Sequence, residues 1–348
     1  MYDAVILVSF GGPEKREDVL PFLENVTRGR NVPRRRLLEV SRHYDRFGGK
    51  SPINSQCRSL AAALQAELRA RGMNLPVYWG NRNWHPLLAG TLREMRAAGV
   101  ERALAFVTSA YSSYSSCRQY REDIEAARTG VGEGAPCVDK LRVFYNHPRF
   151  IEASAQRVRE ALAVFPQEER EQVRFVVTAH SIPSSMAETS HYEKQLRETA
   201  RLAAAAAGFH QWDLAFQSRS GPPAQPWLGP GILEHLKALR ARGASSVLIA
   251  PLGFISDHLE VLYDLDIEAA ALAADLGMKM VRAQTVGTHP EFVRMICELI
   301  EERISDAPRR AAGVFGVSPD VCAADCCPRP RPAGILRASE APAVSQLL

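Results

Sequence analysis

One histidine in this 348-residue chain occupies a position where a side chain could take part in catalysis. His180 follows the apolar run RFVVTA, which predicts a buried strand, and Ser181 and Pro183 come directly after it. A side chain at the carboxyl end of such a strand faces a loop region, where ligands of α/β proteins bind. An imidazole with a pKa near ~6.5 can accept a proton or bind a cation at neutral pH. We interpret His180 as a candidate base or metal ligand; a hydrogen bond to a loop is the alternative role.

A series of acidic residues in segment 251–270 is the second candidate. Glu260, Asp264 and Glu268 recur every four residues, which predicts that their carboxylates line one face of a helix. Like charges at this spacing destabilise an isolated helix by about 0.2–0.5 kcal/mol per pair, so a purely structural role is disfavoured. Carboxylate oxygens are ligands for hard divalent cations. The spacing predicts a face that passes a divalent cation inward, unless that face is simply solvated.

Aromatic and small polar residues cluster near the predicted strand ends. They are Phe10, Tyr44, Trp79, Trp84, Tyr111, Tyr114 and Tyr120, with serines 112, 113, 115 and 116 between them. Rings and hydroxyl groups together suit a flat ligand with polar edges, although for each ring alone ordinary packing at a strand end is the preferred interpretation. The segment SFGGPEK matches neither GxGxxG nor GxxxxGK followed by Ser or Thr, so we exclude a nucleotide site there.

Three of the seven cysteines lie close together near the carboxyl terminus. Cys322, Cys326 and Cys327 form a CxxxCC pattern, and a zinc or iron–sulfur centre commonly needs a fourth thiolate. Cys137 lies in the glycine-rich segment GVGEGAPC. The remaining cysteines fall in or beside helical patterns: Cys57, Cys117 and Cys297. We predict that Cys137 joins the tail thiols, with a [2Fe–2S] cluster, structural zinc and unliganded thiols as the possible states.

Short runs of β-branched residues alternate with helical patterns along the chain. The predicted strands are residues 4–10, 77–80, 103–109, 174–181, 214–218 and 246–254. Such alternation is typical of βαβ units with a parallel sheet. We predict an α/β protein with two similar Rossmann-like lobes, each a parallel sheet flanked by helices, and a ligand cleft between them.

Changes in composition divide the chain into three parts. We expect an amino-terminal lobe over residues 1–145, a carboxyl-terminal lobe over 146–308 and a tail over 309–348 that contains the clustered cysteines. The last predicted helix, which ends near Ile304, is free to pack back on the first lobe.

Charge and hydropathy restrict the possible partners. A net charge of +4 lacks the basic excess that is typical of nucleic-acid-binding proteins. No apolar stretch approaches the ~18 residues needed to span a bilayer, and the amino terminus MYDAVILVSFGG does not resemble a signal peptide. We expect a cytoplasmic monomer that binds no nucleic acid and has no transmembrane segment.

Several blocks of the sequence resemble the ferrochelatases. They are SFGGPE, ENVTRGR, FGGKSPIN, GNRNWHP, TAHSIP, QSRSGP with PWLGP, and GFISDHLEVLYDLD, in the family order over about residues 3–304. The blocks FLENVTRGR and RHYDRFGGKSPIN are most similar to actinobacterial-type coproporphyrin ferrochelatases. The resemblance implies the chelatase fold and the insertion of ferrous iron into coproporphyrin III in haem biosynthesis. Protoporphyrin IX is the alternative substrate, and a non-catalytic tetrapyrrole or metal carrier is the alternative outside enzymes.

The resemblance also implies roles for individual residues. Family members place the equivalents of His180 and Glu260 across the porphyrin cleft as the catalytic pair. The implied metal-handling residues are His180, Glu260, Asp264 and Glu268. The implied porphyrin contacts are Phe10, Tyr44, Ser51 and Tyr120. Phe10 stands where some members have a tyrosine near the metal, so it can pack on the macrocycle but cannot ligate iron.

The cysteine pattern resembles that of some bacterial ferrochelatases, which bind a [2Fe–2S] cluster through one internal and three carboxyl-terminal cysteines. The expected ligands here are Cys137, Cys322, Cys326 and Cys327. The expected substrates are a porphyrin and ferrous iron, and the resemblance also implies transient contacts with other enzymes of haem synthesis.

Overall fold

The structure, a computed structural model, describes residues 1–29, 32–221, 224–305 and 307–330. The first half contains β1 (Ala4–Ser9), α1 (Arg16–Val26), α2 (Arg34–Asp45), α3 (Ile53–Ala70), β2 (Val77–Asn81), α4 (Leu88–Ala97), β3 (Arg102–Val107), a π-helical turn (Tyr114–Arg118), α5 (Gln119–Val131) and β4 (Cys137–Lys140). The second half contains α6 (Pro148–Leu162), a 3₁₀ turn (Gln167–Gln172), β5 (Arg174–His180), α7 (Ser184–Glu188), α8 (Tyr192–Ala207), β6 (Asp213–Gln217), α9 (Ile232–Ala241), β7 (Ser246–Ala250), α10 (Leu259–Val261), a π-helix (Leu262–Ala269), α11 (Ala270–Asp275), β8 (Lys279–Arg282) and α12 (Pro290–Ile304). Residues 331–348 of the expected tail lie outside the described part.

Two parallel sheets form the centres of two lobes. The strand order is β2-β1-β3-β4 in the first sheet and β6-β5-β7-β8 in the second, so the second lobe repeats the topology of the first. All neighbouring strands in both sheets run parallel. The prediction of two similar α/β lobes is confirmed. The sequence analysis missed the edge strands β4 and β8, because their sequences CVDK and KMVR are short and carry charged residues.

The central strands are covered on both faces, which explains why their sequences are continuously apolar. All six residues of β1 are buried. Val5 and Leu7 belong to a core cluster with α3, whereas Ile6 and Val8 belong to a separate cluster with α4 and α5. The first of these clusters also contains Phe175 and other residues of the second lobe. The two sheets therefore share one continuous core.

The carboxyl-terminal part of the described chain packs across both lobes. Helix α12 contacts α6 and α3, and Arg71 pairs with Glu301 at 3.1 Å. Beyond α12, the amide of Ala312 donates a 2.8 Å hydrogen bond to the carbonyl of Asn146. None of the helices in the described ranges combines the length and apolar character needed to cross a bilayer.

A buried ion pair joins the connection between the lobes to α12. Arg142 donates to both carboxylate oxygens of Glu302 at 2.7 and 2.8 Å, and the two side chains are 1% and 2% exposed. Removing one member of such a pair leaves an uncompensated charge in the interior.

We expect Arg142→Ala to lower the free energy of unfolding by about 3–5 kcal/mol, because the Glu302 carboxylate stays buried without the two hydrogen bonds that Arg142 donates. The change is measured by urea denaturation. Arg197→Ala is the control, because Arg197 pairs with Glu193 on the surface of α8 and its loss should cost at most about 1 kcal/mol. Equal losses in both variants would contradict a special role for the buried pair.

Candidate active site between the lobes

His180 is the last residue of β5, and its ring is oriented by neighbouring backbone groups. Nδ1 donates a hydrogen bond to the carbonyl of Ser181, and the carbonyl of His180 accepts a 2.9 Å bond from the hydroxyl of Tyr192. Because Nδ1 is engaged with a carbonyl, Nε2 is the nitrogen that faces a partner. The strand end therefore presents Nε2 of the imidazole to the site.

The acidic segment follows β7 and brings Glu260 to this imidazole. His258 caps the helical segment, its Nδ1 accepting a 3.2 Å bond from the amide of Glu260. Oε2 of Glu260 lies 3.5 Å from Nε2 of His180 and 3.9 Å from Nδ1 of His258. The segment continues as a π-helix, a conformation that is rare and frequently found at functional sites. The structure thus brings together the two residues that the sequence analysis singled out as a pair.

Each member of this pair shifts the pKa of the other toward its charged form. Burial acts to lower the pKa of His180, but the hydrogen bond and negative charge of Glu260 outweigh it and raise the pKa. Burial acts to raise the pKa of Glu260, but the hydrogen bond and charge of His180, with the charge of His258, lower it to about 2. The contact therefore favours the protonated imidazole and the ionised carboxylate.

Asp264 lies one turn further along and binds two residues that the sequence analysis did not select. Its Oδ2 accepts hydrogen bonds from the hydroxyl of Ser218 and from Nε2 of Gln217. Burial above all, and then the charges of Glu260 and Glu268, raise the pKa of Asp264 to about 7 against the opposing bond from Ser218. Asp264 can therefore accept or release a proton near neutral pH.

The signal that could have identified Gln217 and Ser218 is their position at a strand end. Gln217 is the last residue of β6 and pairs in register with His180 on β5. Ser218 has a φ of 61°, a left-handed conformation that is uncommon for serine and often occurs at functional sites. The neighbouring strand end therefore completes the acidic side of the site.

Residues of α1 and α2 cover the acidic segment. Leu259 belongs to a buried cluster with Phe22 and Tyr44, and the ring of His43 stacks on Tyr263 with centroids 3.8 Å apart. Glu268, further along the same segment, acts electrostatically on His43. The first lobe is thus in direct contact with the helical segment that contains Glu260 and Asp264.

The implied porphyrin contacts lie on the first lobe near this contact. Tyr44, Ser51 and Tyr120 are buried, and Phe10 is half-buried. The guanidinium of Arg82 lies 4.4 Å above the ring of Tyr120 and 5.8 Å from that of Phe10. The amide of Ile53 approaches the Ser51 hydroxyl at 3.5 Å. Of these residues, Tyr44 is close enough to the pair for the charge of Glu260 to raise its pKa further beyond the effect of burial.

The cysteine grouping differs from the prediction. Cys137 is exposed at the start of the edge strand β4, whereas Cys117 is buried in the π-helical turn and its thiol bonds to that of Cys322. Cys322 also bonds to Cys326, whose sulfur lies 3.5 Å from that of Cys327. The structure therefore makes Cys117 a neighbour of the tail thiols, whereas the predicted ligand set with Cys137 stays a prediction.

The sequence did not identify Cys117 as a neighbour of the tail. Helical periodicity places Cys117 in a helical element but does not reveal what packs on that element. The guanidinium of Arg118 donates to the carbonyls of Ala324 and Cys326 and so draws the tail onto this turn. The hydrogen bond from Cys117 lowers the pKa of the Cys322 thiol to about 7. Among the described residues, no three His, Cys, Asp or Glu side chains are arranged around a single metal position.

Glu260→Gln keeps the size of the side chain but removes the charge that raises the pKa of His180. We therefore expect the pKa of His180 to fall in this variant, measured by an NMR titration of the imidazole between about pH 5 and 9. His147 is an internal control, because burial and the charge of Arg142 lower its pKa to about 3 and keep it neutral throughout. An unchanged His180 pKa would contradict the ion pair.

Comparison with known proteins gives concordant results. Residues 2–304 match the family model described as Ferrochelatase. The ferrochelatase of Rhodopirellula baltica is 56% identical over 329 residues, which cover 94% of this chain and 93% of the relative. The coproporphyrin III ferrochelatase of Nocardia farcinica is 50% identical over 345 residues, which cover 95% of this chain and 98% of the relative.

Among solved structures, the fold is similar to that of SirB from Bacillus subtilis with Fe3+. The TM-score is 0.55 with 13% identity, and the match covers 88% of this chain and 100% of SirB. At this identity the likeness concerns the fold alone, and it agrees with the two-lobed architecture. Because the family match extends over residues 2–304 and the relatives share about half of their residues over nearly the whole chain, this chain belongs to the ferrochelatase family.

Proposed function

We propose that the protein inserts ferrous iron into coproporphyrin III and so forms coprohaem. The observation that carries the proposal is the ion pair between His180 and Glu260, 3.5 Å apart at the junction of the two lobes. The substrate is supported by relatives about half identical to this chain, several of which are named coproporphyrin III ferrochelatase.

The reaction needs a proton acceptor and a metal ligand at the same place. Two pyrrole N–H protons leave the macrocycle while Fe(II) loses its water and enters, so charge and atoms balance with two protons released. We assign both tasks to His180 and Glu260 as a unit, without dividing them between the two. Asp264 and Glu268 extend the carboxylate series and would supply oxygen ligands along the route of the cation.

The porphyrin must separate the two members of the pair when it binds. A distance of 3.5 Å leaves no room for a macrocycle between Nε2 and Oε2. Because Leu259 and Tyr263 pack against α1 and α2, these two helices would move relative to the acidic segment on porphyrin binding. In that arrangement Phe10 packs on the ring, and Tyr44, Ser51 and Tyr120 are the proposed propionate contacts.

An anaerobic metalation assay tests the function. We expect faster initial rates with coproporphyrin III than with protoporphyrin IX, and losses of about 10²–10⁴-fold in His180→Ala and Glu260→Gln. His191→Ala and Glu193→Gln serve as controls on the surface of the same lobe. Faster turnover of protoporphyrin IX would reassign the substrate, and porphyrin binding without turnover would indicate a carrier.

We also propose that Cys117, Cys322, Cys326 and Cys327 bind a [2Fe–2S] cluster. The mutual hydrogen bonds of the thiols and the low pKa of Cys322 support it, as do the nearby charges of Lys140 and Arg121. Each iron of such a cluster takes two thiolates, so three ligands around one metal position are not required. When bound, the cluster would supply an iron-dependent and redox-sensitive link between the tail and the first lobe.

The choice between Cys117 and Cys137 gives a direct test of the cluster. We expect the purified protein to be brown, and Cys117→Ser to lose the visible absorption together with iron and acid-labile sulfide. Cys137→Ser is the matched control and should keep all three, because Cys137 lies exposed on β4. A colourless wild type that contains zinc would replace the cluster with a zinc site, and loss of colour only in Cys137→Ser would refute the assignment of Cys117.

The cytoplasmic location, the monomeric state and the transient contacts with other haem-synthesis enzymes stay predictions of the sequence analysis.

A further inference from the structure

The segment that contains Glu260 has more carboxylates than the proposed metal route uses. Within residues 257–268 there are five: Asp257, Glu260, Asp264, Asp266 and Glu268. Five acidic side chains in twelve residues repel one another where they are ionised, and each could compete for the same divalent cation. The carboxylates outside the proposed metal route, Asp257 and Asp266, must therefore be kept apart from those within it.

Arg282 contacts the two surplus carboxylates. It is the last residue of β8, and its side chain is 14% exposed. Nη2 donates to Oδ2 of Asp266 at 2.9 Å while Nε donates to Oδ1, so the guanidinium fork is bidentate. Nη1 donates to Oδ1 of Asp257 at 3.2 Å. One arginine thus ties two points of the acidic segment, on either side of Glu260 and Asp264, to the edge of the second sheet.

Asp257 is fixed from a second direction as well. Its amide donates a 2.8 Å hydrogen bond to Oε1 of Gln56, which belongs to α3 of the first lobe. Asp257 is therefore held by both lobes three residues before Glu260. Displacement of Asp257 would move the start of the helical segment and with it the carboxylate that faces His180.

We propose that Arg282 is a positioning residue for iron delivery, because it neutralises Asp257 and Asp266 and holds the segment so that Glu260, Asp264 and Glu268 alone form the metal route. This inference rests on the proposed function and assigns a role to a residue that does not itself touch the reacting atoms. Its loss would both loosen the segment and release two carboxylates that compete for the cation.

The test compares Arg282→Ala with Arg149→Ala in the full-length protein. Arg149 is a matched control, because it also pairs with two carboxylates of the second lobe, Glu291 and Glu298, and its side chain is 29% exposed. Hydrogen exchange of the metal-free and porphyrin-free protein is followed by mass spectrometry. We expect faster amide exchange at residues 257–269 in Arg282→Ala and an unchanged rate there in Arg149→Ala.

Kinetics provide the second readout. We expect kcat/KM for iron to fall about 10–100-fold in Arg282→Ala, the usual effect of removing a group that orients metal ligands, while the KM for porphyrin stays unchanged. Arg282→Lys should recover only part of the loss, because an ammonium cannot reproduce the bidentate fork. Equal exchange and equal iron kinetics in the Arg282 and Arg149 variants would overturn the proposal.

If Arg282→Ala does not fold, Asp266→Asn removes one partner charge with little change in shape and should accelerate exchange over the same residues. Unchanged exchange in that variant would also refute the proposal. Because exchange is measured without substrates, it tests Arg282 separately, whereas absence of metalation by the wild type would refute only the proposed function.

Discussion

The ion pair between His180 and Glu260 is the interaction on which the rest of the site depends. Loss of hydration would favour the neutral forms of both groups, and each shifts the pKa of the other toward the charged form. The imidazole is fixed by a sheet strand and the carboxylate by a capped helical segment. A ligand that enters between them must therefore replace an electrostatic partner on both sides. A metal cation could replace the imidazole opposite the Glu260 carboxylate, and His180 would release its proton more readily once the carboxylate no longer raises its pKa.

Both members of the pair belong to the second lobe, but the acidic segment is also tied to the first lobe. The buried hydroxyl of Tyr111 in the first lobe donates a 2.6 Å hydrogen bond to the carbonyl of Leu252, in the loop that leads to the acidic segment. Gln56 binds the backbone of Asp257 further along the same loop. Because both bonds involve side chains of the first lobe, the position of Glu260 is set by groups of both lobes. Away from the site, the shared core joins the two lobes. Helices α1 and α2 pack in a separate cluster that covers the acidic segment.

The sequence was sufficient for features that depend on one element at a time. The apolar run before His180 predicted a strand end, and the four-residue spacing of the acidic series predicted a common face. Features that depend on which elements are neighbours were not accessible. Gln217 reaches Asp264 because β6 lies beside β5, and Cys117 meets Cys322 because the tail folds back on the first lobe. Periodicity reports burial within an element, but it contains no information about the partner that covers it.

The tail is held by contacts other than its thiols. A cluster would therefore change the stability of the fold more than the position of the tail. Ala312 bonds to Asn146, and the carbonyl of Ala324 accepts a 2.9 Å bond from Arg118. A link from Cys117 to this ordered segment closes a loop that contains the whole second lobe. Cross-links of this kind stabilise a fold mainly by restricting the unfolded chain, and their effect grows slowly with loop length. The proposed cluster would therefore govern how readily the molecule unfolds when iron is scarce, while the geometry of His180 and Glu260 is maintained by the sheets.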